Sequence, residues 1–188
     1  MIMIIKRLTP LFILLTISLA FIAGQVLFKE VHIASEPSPG EEKSFRHYEA
    51  VFEQTIFEDL DGNQIKLSEI KAPVVILNFW ASWCTPCLVE FPSLVEMNNK
   101  FSDSEVMVIG INTDSDDQEL KMKRIIEDYN LNFVNIPDTD SEIVNQYLVR
   151  AIPVSIIFHR GKVVRVTRGH MDFVAIEFLN QIRRLIKS

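Results

Sequence analysis

A run of apolar residues that leads into a cysteine pair restricts the fold of this chain more than any other feature. Residues 74–80 read VVILNFW, an uncharged run rich in β-branched residues that is typical of a strand buried on both faces of a sheet. The apolar residues then change to helical spacing from Cys84 to about Phe101. The sequence therefore predicts a buried strand, a three-residue loop and a helix that starts at Cys84.

The rest of the chain alternates between strand and helix patterns. Asp61-Gly62, between segments in which apolar and polar residues alternate, predicts an N-terminal β-hairpin. Pro92 is expected to kink the cysteine helix. The other predicted elements are strands over 106–112, 132–136, 154–158 and 163–167, and helices over 116–130, 141–148 and 172–186. This order indicates an α/β fold in which helices cover a mixed sheet.

Three of these segments carry more specific expectations. The apolar residues of the helix over 116–130 that are predicted to face the core are Leu120, Ile125 and Ile126. Asp172 has a side chain suited to capping the N-terminus of the last helix. His159 lies in the turn of the second hairpin and His170 in the loop after it, and both are predicted to be exposed.

An uncharged segment of 21 residues, Leu8 to Phe28, stands near the start of the chain. As a helix it would span roughly 31 Å, about the thickness of the hydrocarbon core of a bilayer. Lys6 and Arg7 precede it, and positive flanks stay on the cytoplasmic side. We therefore predict a cytoplasmic N-terminus (1–7) and an uncleaved transmembrane signal-anchor (8–28). A signal peptide cleaved after Ser18-Leu19-Ala20 and a buried core helix are the alternatives.

Residues 29–44 include ASEPSPGEEKS, which is rich in proline and charge and has no apolar periodicity. This composition predicts a flexible linker, followed by one globular domain over 45–188. After residue 29 the chain carries 25 acidic and 16 basic residues, which argues against a nucleic-acid partner. Two cysteines are too few for a disulfide-framework scaffold. One CxxC pair in an oxidising compartment instead indicates redox chemistry.

The predicted position of the two cysteines gives them different chemistry. Cys84, at the helix N-terminus, faces unpaired N–H groups and the positive end of the helix dipole, and both favour a thiolate. Cys87 lies one turn further along, where we expect it to be more buried, so Cys84 is the predicted nucleophile and Cys87 the resolving thiol. Pro86 fits the first turn of a helix. The histidines that could complete a zinc site lack ligand spacing: His32, His47, His159 and His170. A permanent structural disulfide would close too small a loop to stabilise the fold much.

Each of two further residues could have either a functional role or a purely structural one. Glu90 follows Cys87 by about one turn, so a partly buried carboxyl there could exchange the proton of Cys87, but it could equally be a solvated helix residue. Pro153 directly precedes a strand, and its peptide bond could be cis. A trans proline at the start of an edge strand is the more common arrangement.

Four stretches of the sequence form a known pattern. They are DLDGNQIKLSEI, VVILNFWASWCTPCLVEFPSL, AIPVSIIF and RGKVVRVTRGHMD. Together they resemble the TlpA/ResA-like branch of the thioredoxin superfamily, whose members are membrane-tethered thiol-disulfide oxidoreductases on the outer side of the bacterial cytoplasmic membrane. The resemblance covers about residues 50–187.

This resemblance implies a thioredoxin-like fold with an αβ unit inserted between the cysteine helix and Pro153. It also implies that the Ile152–Pro153 bond is cis, that Pro153 faces the cysteines, and that Glu90 is the buried acid of the family. The residues to which it gives catalytic roles are Cys84, Cys87 and Glu90. Those to which it gives substrate contacts are Trp83, Thr85, Pro86, Ile152 and Pro153.

The predicted function is that of a membrane-anchored reductase that needs no cofactor besides its cysteine pair. The resemblance implies exported disulfide-containing proteins, apocytochrome c among them, as substrates and a CcdA- or DsbD-like membrane protein as electron donor. A disulfide oxidase or isomerase of the cell envelope would use the same two sulfurs. A copper-binding chaperone would use them as soft ligands, but such sites usually need a third ligand.

Overall fold

A five-stranded mixed sheet organises the part of the chain that the computed structural model describes, residues 16–19, 21 and 39–188. The helices are α1 (Pro39–Gln54), α2 (Thr85–Asn98), α3 (Gln118–Tyr129), α4 (Glu142–Gln146) and α5 (Ile176–Lys187). The strands are β1 (Ile56–Glu58), β2 (Gln64–Lys66), β3 (Val74–Trp80), β4 (Val106–Asn112), β5 (Val134–Pro137), β6 (Val154–His159) and β7 (Lys162–Arg168). Lys43–Ser188 form one compact unit.

The buried strand β3 lies at the centre of the sheet, whose order is β5-β4-β3-β6-β7. β4 and β5 run parallel to β3, whereas β6 is antiparallel to β3 and β7 is antiparallel to β6. The predicted N-terminal hairpin forms a separate ladder of β1 and β2. The unit α3–β5 is the predicted αβ insertion, and it adds the outermost parallel strand. The predicted thioredoxin-like α/β fold is thus confirmed.

Each face of the sheet has its own apolar core. One face packs β3, β4 and β6 against α1 and the loops near α4, and its largest buried side chains include Phe52, Phe57, Phe79, Tyr147 and Phe158. The other face packs the same strands against α2 and α5, and its buried side chains include Leu94, Met97, Phe173, Phe178 and Ile182. Successive residues of a strand point to opposite faces, so every residue of β3 is buried.

Helix α1 is an element that the sequence analysis did not predict. The expected flexible linker extended to residue 44, but α1 begins at Pro39, and the part of that linker before Pro39 lies outside the described residues. Tyr48 and Phe52, four residues apart, are buried, and the ring of Phe52 lies 4.5 Å from that of Phe158. Tertiary packing of this short apolar stripe stabilises a helix whose first six residues, 39–44, have the composition of a linker.

Two predicted side-chain positions are wrong. Leu120 is 72% exposed, because the buried stripe of α3 follows Met122 and Ile125, and Leu120 lies on another side of the helix. Asp172 is not the N-cap of α5, which begins at Ile176 after Ala175. The Asp172 carboxylate accepts a hydrogen bond from the Val174 backbone N–H instead, so it stabilises the loop before the helix. Pro92 lies inside helix α2, as predicted, and the kink expected there stays a prediction.

The predicted transmembrane segment, 8–28, lies mostly outside the described residues. Residues 16–19 and 21 are helical, and the large apolar side chains among them, Ile17, Leu19 and Phe21, are exposed. None of the helices that the structure describes is both long and apolar enough to cross a bilayer.

Candidate active site

The two cysteines lie where β3 ends and α2 begins. Cys84 is the N-cap residue of α2, one position before the first helical residue, as the sequence predicted to within one residue. Its backbone N–H donates to the Ala81 carbonyl (3.1 Å), which closes a turn between the strand and the helix. Cys84 and Cys87 form a disulfide, with their Cα atoms 5.3 Å apart.

The first turn of α2 presents a backbone donor to Cys84. The Cys87 N–H donates to Cys84 Sγ over 3.3 Å, so the sulfur takes the place of a capping oxygen. This contact and the positive end of the helix dipole both stabilise negative charge on Sγ. Cys84 is 4% exposed and Cys87 is fully buried. The order of exposure is the one expected for a nucleophile and a resolving thiol.

Glu90 is a buried carboxyl on α2, one turn after Cys87. It is 1% exposed and accepts two hydrogen bonds, from Asn78 Nδ2 (2.8 Å) and from the Met171 N–H (3.1 Å). Burial raises its pKa above the ordinary value, and these two hydrogen bonds and the charge of His170 offset that rise only in part. Such a carboxyl can take up and return a proton more readily near neutral pH than an exposed glutamate can.

Asn78 and Ser155 complete a polar network that the sequence analysis did not identify. They face each other across the antiparallel pair β3–β6, and Asn78 Nδ2 donates to both Ser155 Oγ (3.0 Å) and Glu90. Asn78 Oδ1 is buried and has no partner among the described residues. A signal was present in the sequence, because each is a polar residue within an otherwise apolar strand, and buried polar groups need partners.

The Ile152–Pro153 peptide bond is cis, as the family resemblance implied. Pro153 is buried, and the half-buried Ile152 packs against the apolar cluster that contains both cysteines. The Gly169 N–H donates to the Pro153 carbonyl over 2.8 Å. Met171, two residues later in the same loop, is the residue whose backbone N–H donates to the Glu90 carboxyl. One loop therefore connects the proline with the buried acid.

The remaining predicted contact residues adjoin the cysteines in the sequence and lie on the surface. Trp83 is 68% exposed, and Thr85 and Pro86 are also exposed. The neighbouring Trp80, by contrast, is fully buried, where its ring packs edge-on against Phe91 and its Nε1 donates to Asn135. The exposed Trp83 is thus not part of the core.

His159 and His170, the two histidines that were predicted to be exposed, differ in burial, and His32 lies outside the described residues. His170 is exposed, as predicted, but His159 is only partly so, because it ends β6 and its Nε2 is buried without a partner in the described chain. Over residues 16–19, 21 and 39–188 no group of three or more histidine, cysteine, aspartate or glutamate residues could hold a metal ion.

The fold and the cysteine site together define a thiol-disulfide oxidoreductase. The sequence matches the AhpC/TSA family over residues 49–167, and it is 32% identical to the thiol-disulfide oxidoreductase ResA of Bacillus subtilis over 130 residues, which are 68% of this chain and 72% of that protein. The chain therefore belongs to the AhpC/TSA family and is a thiol-disulfide oxidoreductase related to ResA. The redox group of such enzymes is the cysteine pair itself.

Solved structures are similar in fold. StoA from Bacillus subtilis has a TM-score of 0.56 and 24% identity, with 70% of this chain and 94% of that chain covered. A secreted Mycobacterium tuberculosis disulfide oxidoreductase homologous to E. coli DsbE has a TM-score of 0.58 and 23% identity, with 72% and 96% covered. At these identities the likeness concerns the fold alone.

Proposed function

We propose that this oxidoreductase is a membrane-anchored reductase that acts on disulfides of exported proteins. The observation that carries the proposal is the buried Glu90 one turn after Cys87, with a pKa raised by burial. A resolving thiol that is fully buried needs a nearby group to take its proton before it can attack. Glu90 is the group on α2 that can do so.

The reaction begins when the Cys84 thiolate attacks one sulfur of the substrate disulfide. A Cys84–substrate disulfide forms, the substrate S–S bond breaks, and the other substrate sulfur leaves as a thiolate that takes a proton from water. The Glu90 carboxylate then removes the proton of Cys87, and the resulting thiolate attacks Cys84 Sγ. The mixed disulfide breaks, the second substrate sulfur leaves and is protonated, and two electrons have passed from the cysteine pair to the substrate.

The proposed substrate-binding residues are the exposed Trp83, Thr85 and Pro86 on one side and Ile152 and Pro153 on the other. Because Pro153 has no backbone N–H, it leaves no donor that would compete for an extended substrate segment at that position. Apocytochrome c, whose two haem-attachment cysteines must be reduced, is the substrate that the family resemblance favours. A membrane protein of the CcdA or DsbD type would return the enzyme to its dithiol form.

The proposed anchor is the uncharged segment 8–28, with the enzyme on the extracytoplasmic side. Its length and the preceding Lys6 and Arg7 support this topology. An enzyme that reduces disulfides where other enzymes form them would be kept near a membrane electron donor by such an anchor.

Trapping of substrates in intact cells tests the proposal. A Cys87→Ser variant of the full chain cannot resolve its mixed disulfides, so its trapped partners can be identified by mass spectrometry after alkylation. We expect exported proteins with paired cysteines, CxxCH proteins among them, and we expect protease added outside spheroplasts to degrade the enzyme. Trapped partners that are all cytoplasmic, or an enzyme protected from protease, would refute the proposal.

A further inference from the structure

A second buried carboxylate, outside the network around Glu90, contacts the loop that precedes the cysteines. Asp114 follows the C-terminal end of β4 and is 1% exposed. One oxygen accepts hydrogen bonds from the Ser82 N–H (2.9 Å) and from Asn112 Nδ2 (2.8 Å), and the other accepts one from Ser82 Oγ (2.8 Å). Ser82 belongs to the short loop between β3 and Cys84.

The surroundings of Asp114 suit a charged carboxylate. The three groups that contact its carboxylate are all hydrogen-bond donors. The backbone N–H of Asp114 donates to Asn112 Oδ1 (3.1 Å). No lysine, arginine or histidine of the described residues forms an ion pair with it. A buried negative charge is thus held by neutral donors, so its field on nearby groups is not cancelled by a cation.

Cys84 is one of those nearby groups. The carboxylate binds the Ser82 N–H, and the adjoining Ala81 carbonyl accepts from the Cys84 N–H over 3.1 Å. These contacts place the carboxylate within about 9 Å of the Cys84 nitrogen, and therefore within about 12 Å of its sulfur. Over such a distance inside a protein, a like charge measurably disfavours ionisation.

We propose that Asp114 is a positioning residue that fixes the loop before Cys84 and whose negative charge disfavours the Cys84 thiolate, which makes the cysteine pair more reducing. The reduced pair carries the thiolate, whereas the disulfide is neutral. A negative charge therefore raises the free energy of the reduced form alone, and the pair gives up its two electrons to a substrate disulfide more readily. This inference rests on the redox activity of the pair and on no particular substrate.

Two substitutions in the full chain separate the charge from the contacts. Asp114→Asn removes the charge with little change of shape, and Asp114→Glu keeps the charge but alters the reach of the side chain. For each, we would measure the rate of Cys84 alkylation by iodoacetamide against pH and the equilibrium with glutathione buffers. The matched control is Asp138→Asn, which neutralises a buried aspartate that binds the backbone at the start of α4, one strand further from β3.

We expect the alkylation midpoint of D114N to fall by on the order of one pH unit and its glutathione equilibrium to shift up to about tenfold toward the reduced form. D114E and D138N should stay close to the wild type in both. If D114N does not fold, the smaller neutral variant Asp114→Ser must show the same shifts. Unchanged or upward midpoints in the neutral variants, or an equal fall in D114E, would overturn the proposal. A wild-type pair that does not equilibrate with glutathione would instead refute the redox assignment itself.

Discussion

Asn78 Nδ2 lies 2.8 Å from Oε1 of Glu90, so the strand that leads into the cysteines holds the carboxyl that follows them. The same nitrogen also reaches Ser155 Oγ, on the strand that begins directly after Pro153. A single amide group therefore connects the three elements that carry the site. A hydrogen bond in the protein interior contributes more to stability than one on the surface. If it is broken, no water molecule is present to pair with the group that is left.

The proposed role of Glu90 predicts a slow second step in Glu90→Gln. The amide cannot accept the proton of Cys87, so we expect resolution of the mixed disulfide to slow on the order of tenfold to a hundredfold, while attack by Cys84 is little changed. Stopped-flow kinetics with a small disulfide substrate would separate the two steps. Glu96→Gln, an exposed position on the same helix that pairs with Lys100, is the control. Equal slowing of both steps in E90Q would contradict the assignment.

The raised pKa of Glu90 also predicts how stability depends on pH. Because the fold favours the protonated carboxyl, the native state carries a growing penalty as pH rises from the ordinary value of 4.5 through the folded pKa. The free energy of unfolding of E90Q, relative to the wild type, should therefore increase between pH 4 and pH 8. Urea denaturation of both proteins with the disulfide intact measures this difference. If E90Q instead became more stable relative to the wild type as pH falls, the fold would lower the pKa of Glu90 rather than raise it.

Removal of the amide in Asn78→Ala should affect both stability and chemistry. Glu90 and Ser155 would each lose a buried donor, at a cost of about 1–3 kcal/mol in the free energy of unfolding. Loss of that donor should also raise the pKa of Glu90 further and move the pH profile of the resolving step upward. The control is Asn98→Ala, which removes a different buried amide, on α2, that donates to the Asn132 carbonyl. It should reduce stability without changing the pH profile of the resolving step. A pH profile identical to that of the wild type would disprove the connection.

Helix α1 should contribute to the stability of the enzyme domain. Phe52 is 4% exposed and packs against Phe158, so we expect Phe52→Ala to lower the free energy of unfolding by about 3–5 kcal/mol. The exposed Gln54, at the end of the same helix, provides the control substitution Gln54→Ala. Both can be compared by urea denaturation. If F52A were as stable as Q54A, α1 would be only loosely attached to the domain.

The parts of the fold that were predicted from the sequence depend on local patterns. β3 and the start of α2 could be predicted because a continuous apolar run and the spacing of the cysteines are both local features. Helix α1 could not, since the rings of Tyr48 and Phe52 pack against those of Tyr147 and Phe158, residues that are far away along the chain. Local composition indicates a helix only when its own periodicity is strong.

The site residues likewise divide into those that local sequence predicts and those that depend on tertiary contacts. Cys84 and Cys87 could be singled out from their spacing and position, whereas Glu90 and Pro153 each left two alternatives open, between which only the family resemblance chose. The contact of Asn78 with Ser155 depends on the register of β3 and β6, and that with Glu90 on how α2 crosses the sheet. Neither is encoded within one segment, so a polar residue in an apolar strand could show only that some partner was needed.

The reduction potential of the Cys84–Cys87 pair tests the central claim most directly. The full chain in detergent would be equilibrated with glutathione or dithiothreitol buffers, and the fraction of disulfide would be measured by alkylation and mass. A dedicated reductase should have a potential near or below about −250 mV, in the range of reducing thioredoxins. A value near −120 mV, that of strong oxidants, would contradict the account and assign the same two sulfurs to disulfide formation.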